Sequence, residues 1–196
     1  MNKKILILLI SFCCCSQLYG QRSVVKLNLA GVLQKKYGGA VEVALNARFS
    51  GLLEAAYITG SSDGSADGLT STSEKGFAVM PQVRYYFYNE WATAPQGLFI
   101  GINTIYERFD ISVDSSAIEL TSGNARSLGY GLLLGHQWIF SKRFAVELFY
   151  NGYYNNIDLT GPLGNPTLPR DVSIANDYLE RKGINHRIGI SLGVAF

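Results

Sequence analysis

The last ten residues alternate strictly between two kinds of side chain. Every second position is apolar, and the series ends in an aromatic residue: Ile188, Ile190, Leu192, Val194 and Phe196. The intervening positions, from Arg187 to Ala195, are small or polar. Successive side chains of a β-strand point to opposite faces, so this segment predicts a strand with one hydrocarbon face. An aromatic residue ending the apolar face is typical of a barrel strand that meets lipid.

The amino-terminus predicts a cleaved signal peptide. Lys3 and Lys4 precede the apolar run 5–10, and the small Gly20 offers a cleavage site before Gln21. The run is shorter than the roughly 20 apolar residues of a spanning helix. We expect residues 1–20 to be removed and residues 21–196 to form one barrel domain.

All three cysteines, at positions 13–15, lie within the predicted signal peptide. The remaining chain therefore offers neither a disulfide nor a thiol site. Lipid attachment is the alternative use of these cysteines, but it favours a small residue before the cysteine, where Phe12 stands.

Charge excludes one class of partner. The chain has 17 basic and 15 acidic residues, and removal of Lys3 and Lys4 leaves fifteen of each sign. A neutral chain of this kind lacks the basic surface that nucleic acid requires, so we expect no nucleic-acid partner.

Period-two alternation divides the rest of the chain into eight segments, at about 24–33, 39–47, 49–59, 77–88, 97–109, 127–140, 144–157 and 183–196. Most reach the 9–11 residues that a tilted strand needs to cross a bilayer. Short connections alternate with long polar stretches at 60–76, 110–126 and 158–182. An even strand number with this asymmetry predicts an all-β fold, an eight-stranded antiparallel transmembrane β-barrel of the outer-membrane type.

The segments sort into two faces. One face is apolar and is expected to meet lipid: Phe77, Val79, Val83, Tyr85, Phe87, Leu98, Ile100, Ile102, Tyr106, Leu128, Tyr130, Leu132, Leu134, His136, Trp138, Phe140, Phe144, Val146, Leu148, Tyr150 and Tyr154. A water-soluble carrier barrel would need the reverse arrangement and would expose these side chains at about 25 cal/mol per Å². Aromatic residues near both strand ends predict interfacial girdles: Tyr57, Phe77, Tyr106 and Tyr154 at the loop side, and Tyr85, Phe87, Trp91, Trp138, Phe140 and Phe196 at the turn side.

The opposite face carries seven charges, which are expected in the lumen: Lys26, Glu42, Glu54, Arg84, Glu107, Glu147 and Arg187. An eight-stranded barrel has an interior that side chains just fill. Buried charges must be paired, so we interpret this set as a structural plug rather than an active site. Inward glycines would leave room for the long arginines and glutamates: Gly101, Gly129, Gly131, Gly135, Gly189 and Gly193.

A resemblance supports this prediction. The runs that carry it are Val83-Arg84-Tyr85-Tyr86-Phe87, Ala94-Pro95-Gln96-Gly97 with Leu98-Phe99-Ile100-Gly101, Leu134-Gly135-His136-Gln137-Trp138, and Lys142-Arg143-Phe144. They resemble the small outer-membrane barrels of the Bacteroidota that form a domain of unknown function. More loosely, the chain is similar to the OmpX and OmpA-barrel type. The resemblance spans essentially the whole mature chain and implies a place in the outer membrane with, for most members, no reaction.

Two sharper alternatives concern specific residues. Some eight-stranded barrels modify lipid A with a His and a Ser two residues apart on the lipid-facing surface. His136 faces lipid, but Trp138 stands where that serine would be needed, and Ile188 follows His186 in the same way. We therefore expect no catalytic residue, no cofactor and no enzyme.

The second alternative is calcium. Asp63, Ser65, Asp67, Gly68 and Glu74 have the spacing of a calcium loop. Flanking helices are not predicted, and Thr70 replaces the usual apolar residue. The metal assignment is therefore left open.

The function that we predict is a structural or surface-interaction role of a small outer-membrane barrel, exerted through its outer loops. A lipid A-modifying enzyme and an accessory subunit of a larger outer-membrane complex are the alternatives. The expected partners are outer-membrane lipid and lipopolysaccharide, the barrel-assembly machinery during insertion, and an envelope protein.

Overall fold

The eight strands form a closed antiparallel barrel in which each strand pairs with its neighbours in sequence and β1 pairs with β8. This computed structural model describes residues 23–33, 35–63, 70–87, 93–115, 118–160 and 182–196. The elements are β1 (Ser23–Asn28), α1 (Leu29–Leu33), β2 (Lys36–Ala44), β3 (Phe49–Asp63), β4 (Thr70–Tyr86), β5 (Gly97–Ser115), β6 (Ile118–Phe140), β7 (Phe144–Thr160) and β8 (Gly183–Ala195). The predicted fold class is confirmed. The predicted signal peptide lies outside the described residues.

The two ends of the barrel differ in their connections. We call the end that holds the β2–β3, β4–β5 and β6–β7 connections the turn end, and the opposite end the loop end. Ser23 and Phe196 also meet at the turn end, where the amide of each donates to the carbonyl of the other at 3.2 and 2.8 Å. In the β6–β7 connection, residues 141–143, both Ser141 and Lys142 have positive φ, as at the central positions of a type I′ turn. The Arg143 amide donates to the Phe140 carbonyl at 3.0 Å.

The outward face of the barrel is apolar, as predicted. Among its exposed side chains are Ile102, Leu128, Tyr130, Leu132, Leu134, Phe144, Leu148, Ile188 and Ile190. On β6 every second residue from Leu128 to Phe140 points outward, with His136 partly buried. Tyr57, Phe77, Tyr106 and Tyr154 lie outward toward the loop end, while Trp91 lies outside the described residues. Within the part of the chain that the structure describes, no helix is long and apolar enough to cross a membrane.

The strands are longer than predicted toward the loop end. The stretches 60–76 and 110–126 were expected to be long loops, but they are largely paired strand: β4 begins at Thr70, and β5 and β6 continue to Ser115 and from Ile118. β5 has 19 residues and β6 has 23, about twice what a bilayer requires. Of the third stretch, 158–182, β7 takes residues up to Thr160, and 161–181 lie outside the described residues. We call the part of β3 to β7 beyond Tyr57, Phe77, Tyr106, Leu128 and Tyr154 the extension.

The two faces of the sheet exchange character in the extension. Several inward side chains there are apolar, and Ile58, Phe109, Ile111 and Ala125 pack together with Ala78 at its base. Glu107, Ser127 and Asn155, at the same base, point inward and are polar. The outward side chains are polar and exposed, among them Lys75, Arg108, Asp110, Ser112, Asn124, Arg126, Asn156 and Asp158. A sheet with its apolar side inside and its polar side outside is stable in water. The prediction of loops was wrong because these strands are rich in polar residues and their apolar residues point inward instead of outward.

The first strand is shorter than predicted. The range 24–33 was expected to be a strand throughout, but β1 ends at Asn28 and α1 follows. Asn28 acts as its amino-terminal cap, since its Oδ1 accepts a hydrogen bond from the Gly31 amide at 3.1 Å. α1 contacts β2 and β8 at the loop end.

Candidate functional site

The lumen holds the charged residues that the alternation pattern placed there. Lys26, Glu42, Glu54, Arg84 and Glu147 are buried, and Arg187 and Glu107 are partly buried. Each of these seven residues forms an ion pair across the lumen or along its wall. The inward assignment of all seven is confirmed.

Two cations and two anions form one group, which we call the charge cluster: Lys26, Glu42, Arg84 and Glu147. Lys26 Nζ lies 2.5 Å from Glu42 Oε2 and also contacts Glu147 Oε2. Arg84 donates from Nη1 to Glu147 Oε2 at 2.7 Å and from Nη2 to Glu147 Oε1 at 3.1 Å. Arg84 Nη1 is 3.5 Å from Glu42 Oε2. Each carboxylate is therefore shared by both cations, and the four charges cancel.

Neutral side chains complete the hydrogen bonding of the charge cluster. The Ser50 and Tyr86 hydroxyls donate to Glu42 Oε1 at 2.5 and 2.8 Å. Gln82 Oε1 accepts from Arg84 Nε at 3.0 Å and from Nη2 at 2.7 Å. Gln137 accepts from Lys26 through its carbonyl oxygen and donates to the Pro95 carbonyl through Nε2. Buried charges that are both paired and hydrogen-bonded form a rigid network rather than a set of free acids and bases.

Two further ion pairs lie toward the loop end. Arg187 Nη2 is 2.9 Å from Glu54 Oε1, which also accepts from Asn28 Nδ2 at 2.9 Å. Lys36 Nζ is 2.6 Å from Glu107 Oε1. Lys36 was missed from the sequence because the second strand was expected to begin at residue 39. Its inward direction follows from the alternation only when β2 is extended to Lys36.

An apolar layer packs inside the barrel beside the charge cluster. It consists of Ala44, Tyr86, Ala94, Phe99, Leu133 and Phe149, of which Ala44, Tyr86 and Ala94 lie at the turn end. Ala94 belongs to the β4–β5 connection, and the Ala94 amide donates to the Ala47 carbonyl at 2.9 Å. Ala94 is buried and Pro95 is fully buried, so these two residues of the connection pack against the lumen. The charge cluster and this layer together fill the lumen, as predicted.

The inward glycines were expected to make room for long charged side chains. They also make room for aromatic rings, so that explanation is corrected. A Cβ on Gly189 would fall 2.2 Å from the Phe149 ring, and one on Gly135 would fall 2.5 Å from Phe99. Of the six glycines expected to face inward, only Gly101 and Gly193 lie against long charged side chains, those of Arg84 and Lys26.

The two histidines lie on the outward face. His186 Nδ1 contacts the Tyr150 hydroxyl at 2.5 Å, and the two rings stack with centroids 5.8 Å apart. The His136 ring lies 4.3 Å from that of Trp138. Within the described ranges, no serine hydrogen-bonds to either ring. The lipid A-modifying alternative therefore gains no support from these residues.

The candidate calcium loop falls mostly outside the described residues. Residues 64–69, which include Ser65, Asp67 and Gly68, are not described. Asp63 pairs with Ser71, and Glu74 pairs with Gly60 farther along the same ladder. Among the described residues, no group of three His, Cys, Asp or Glu side chains could hold a metal ion. Calcium binding stays a prediction.

Several solved structures are similar to this chain. They include the N-terminal β-barrel domain of Pseudomonas aeruginosa OprF, with 14% identity, 90% of this chain and 97% of that chain covered, and a TM-score of 0.42. Acinetobacter baumannii CarO has 17% identity, coverage of 89% and 96%, and a TM-score of 0.44. A major outer membrane protein of Thermus thermophilus has 12% identity, coverage of 91% and 100%, and a TM-score of 0.46.

Sequence comparison with the curated proteins gives no match. A protein-family model does match, over residues 5–158, which is most of the chain. The family is described as a protein of unknown function, DUF3575. It agrees with the expected resemblance to a domain of unknown function. The chain belongs to the DUF3575 family.

Proposed function

We propose that this protein is an integral outer-membrane barrel whose turn end faces the periplasm and whose extension stands outside the cell. The proposal rests on one observation, namely that the outward side chains of β6 change from apolar to polar along the strand. From Phe140 to Leu128 they are almost all apolar, and at Arg126 and Asn124 they become polar. The apolar stretch is roughly 40 Å along the strand, or about 30 Å of height at a tilt near 40°, which matches the hydrocarbon thickness of a bilayer.

The role of the protein is structural or lies in surface interaction through the extension and its loops. The filled lumen supports this role, because paired charges and packed rings leave the barrel itself rigid. Catalysis, a cofactor and a nucleic-acid partner are not part of the proposal. We expect the barrel-assembly machinery to insert the chain, and outer-membrane lipid to surround it.

Surface labelling tests both the location and the orientation. The mature chain is expected to have no cysteine, so single cysteines can be introduced by Asn124→Cys in the extension and Lys142→Cys at the turn end. A membrane-impermeant maleimide should label the first variant on intact cells. It should label the second only after the outer membrane has been permeabilised.

Fractionation provides the second measurement. The folded protein should sediment with the outer membrane, resist alkaline extraction, and migrate differently on a gel before and after boiling, because a closed barrel keeps all strand hydrogen bonds in mild detergent. Recovery as a soluble periplasmic protein, or labelling of Lys142→Cys on intact cells, would reject the proposal. A stoichiometric protein that co-purifies would indicate instead an accessory subunit of a larger complex.

A further inference from the structure

Three basic residues point outward from adjacent strands of the extension. Lys75, Arg108 and Arg126 belong to the adjacent strands β4, β5 and β6, and all three are exposed. Arg108 is directly opposite Arg126 in the β5–β6 ladder. Each lies two positions beyond an outward apolar or aromatic residue, namely Phe77, Tyr106 and Leu128 respectively. We call these three cations the basic row.

The juxtaposition of Arg108 and Arg126 is unfavourable by itself, because like charges directly opposite in a ladder repel. Asp158 is opposite Arg126, and Asp110 is opposite Lys75. In the described part of the chain, however, no carboxylate forms an ion pair with any of the three cations. Their donors are thus available to an anion at the level just beyond the apolar band.

A groove lies below the basic row and extends beyond its three strands to β7 and β8. It has a volume of about 670 Å³ and crosses the outward face from β4 to β8. The outward residues that line it stand in two rows: Pro81, Thr104, Tyr130, Tyr154 and Ile184 in one row, and Val83, Ile102, Leu132 and Gly152 in the other. Small side chains at Thr104 and Gly152 create the depression between larger neighbours.

The groove lies over an interruption of the sheet at Pro81. The β4–β5 ladder pairs Val79 with Tyr106 and then Gln82 with Asn103, so Met80 and Pro81 have no partner on β5. Proline has no N–H to donate, which accounts for the gap. On β5, the successive outward residues Thr104, Tyr106 and Arg108 extend from this gap to the basic row. The distance from Thr104 to Arg108 is roughly 13 Å along the strand.

We propose that this face binds one phosphorylated glycolipid of the outer leaflet, with its phosphate on the basic row and an acyl chain in the groove. The proposal rests on the proposed function, because it requires the extension to stand outside the outer membrane. Guanidinium groups match phosphate with paired hydrogen bonds, and two of them are adjacent here. A water-soluble partner could reach the basic row, but it could not enter a groove that lies at hydrocarbon depth. Charge and position together therefore select a lipid.

Native mass spectrometry of the full chain, extracted from the outer membrane in mild detergent, tests the proposal. The wild-type barrel should retain one phosphorylated glycolipid. The double variant Arg108→Gln with Arg126→Gln should retain about tenfold less, since it loses the charge-assisted hydrogen bonds to phosphate. The matched control, Lys142→Gln with Arg143→Gln, removes the same charge at the turn end and should retain as much as the wild type.

A second variant tests the groove without any change of charge. Thr104→Phe fills the depression beside Pro81 and should also lower the retained lipid. Equal retention by the Arg108 and Arg126 double variant, equal loss in the turn-end control, or a preference for a phospholipid such as phosphatidylglycerol would overturn the proposal. Outer-membrane fractionation of each variant distinguishes the two failures: a barrel that is present there without glycolipid rejects only the lipid site, whereas a barrel absent from the outer membrane rejects the proposed function and the lipid site with it.

Discussion

Arg84 on β4 and Glu147 on β7 join opposite walls of the barrel through two parallel hydrogen bonds, of 2.7 and 3.1 Å. β4 and β7 are not neighbours in the sheet, so this pair ties together strands that no backbone hydrogen bond connects. The Arg84 guanidinium also lies 4.4 Å from the centre of the Phe99 ring. One side chain therefore links the charge cluster to the apolar layer.

The first prediction concerns the loss of this cation. Arg84→Ala leaves Glu147 and Glu42 with Lys26 as their shared counter-charge, and breaking a buried pair in this way costs about 3–5 kcal/mol. We expect a large fall in the midpoint of urea unfolding, measured in detergent or in lipid vesicles. Arg143→Ala, at the exposed β6–β7 turn, is the matched control and should leave the midpoint nearly unchanged. An Arg84→Ala barrel as stable as the wild type would show that the charge cluster does not stabilise the fold.

The second prediction concerns glycine as a space for a ring. In Gly189→Ala, the added methyl group would lie 2.2 Å from Phe149, so the ring must move. Overpacking of this kind costs about 1–3 kcal/mol. The control is Gly51→Ala, where no atom lies within 4 Å of the added methyl group and the stability should be unchanged. The same unfolding measurement compares them, and equal midpoints would contradict the packing observed around Phe149.

The third prediction concerns ion conduction. The charge cluster and the apolar layer of Tyr86, Phe99 and Ala94 occupy the lumen, and an eight-stranded barrel has little space beyond its own side chains. The pure protein should give no large, steady conductance steps in a planar bilayer. Reproducible large steps from a preparation free of porins would reject the plugged lumen.

Much of the fold could be predicted from alternation alone. The apolar and polar faces of β4 to β8 were identified residue by residue, and all seven predicted lumenal charges face inward. Which charges pair could not be predicted, because contacts such as Arg84 to Glu147 depend on the tilt and stagger of strands that are distant in the sheet. The assignment to the Bacteroidota stays a prediction.

The extension shows why the predicted strand ends at the loop end of the barrel were wrong. In a bilayer the apolar side chains of a barrel point outward, whereas beyond it they point inward. Within one strand, the apolar residues therefore change from the outward to the inward positions. On β5, Tyr106 is outward below the change and Phe109 is inward above it. Polar composition at 110–126 was therefore interpreted as loop, although the period of two continues through it.

The last prediction locates this change along β6. Leu132 is 69% exposed and lies within the apolar band, so Leu132→Arg places a charge in the hydrocarbon and should cost about 2–4 kcal/mol. Asn124→Arg makes the same addition on the outward face of the extension, where water is expected, and should cost little. Folding into lipid vesicles, followed by urea titration, measures both. A similar cost at the two positions would place the extension in lipid. No cost at Leu132 would show that the outward face of β6 does not lie in hydrocarbon, because the expected difference between the two sites depends on their different depths in the membrane.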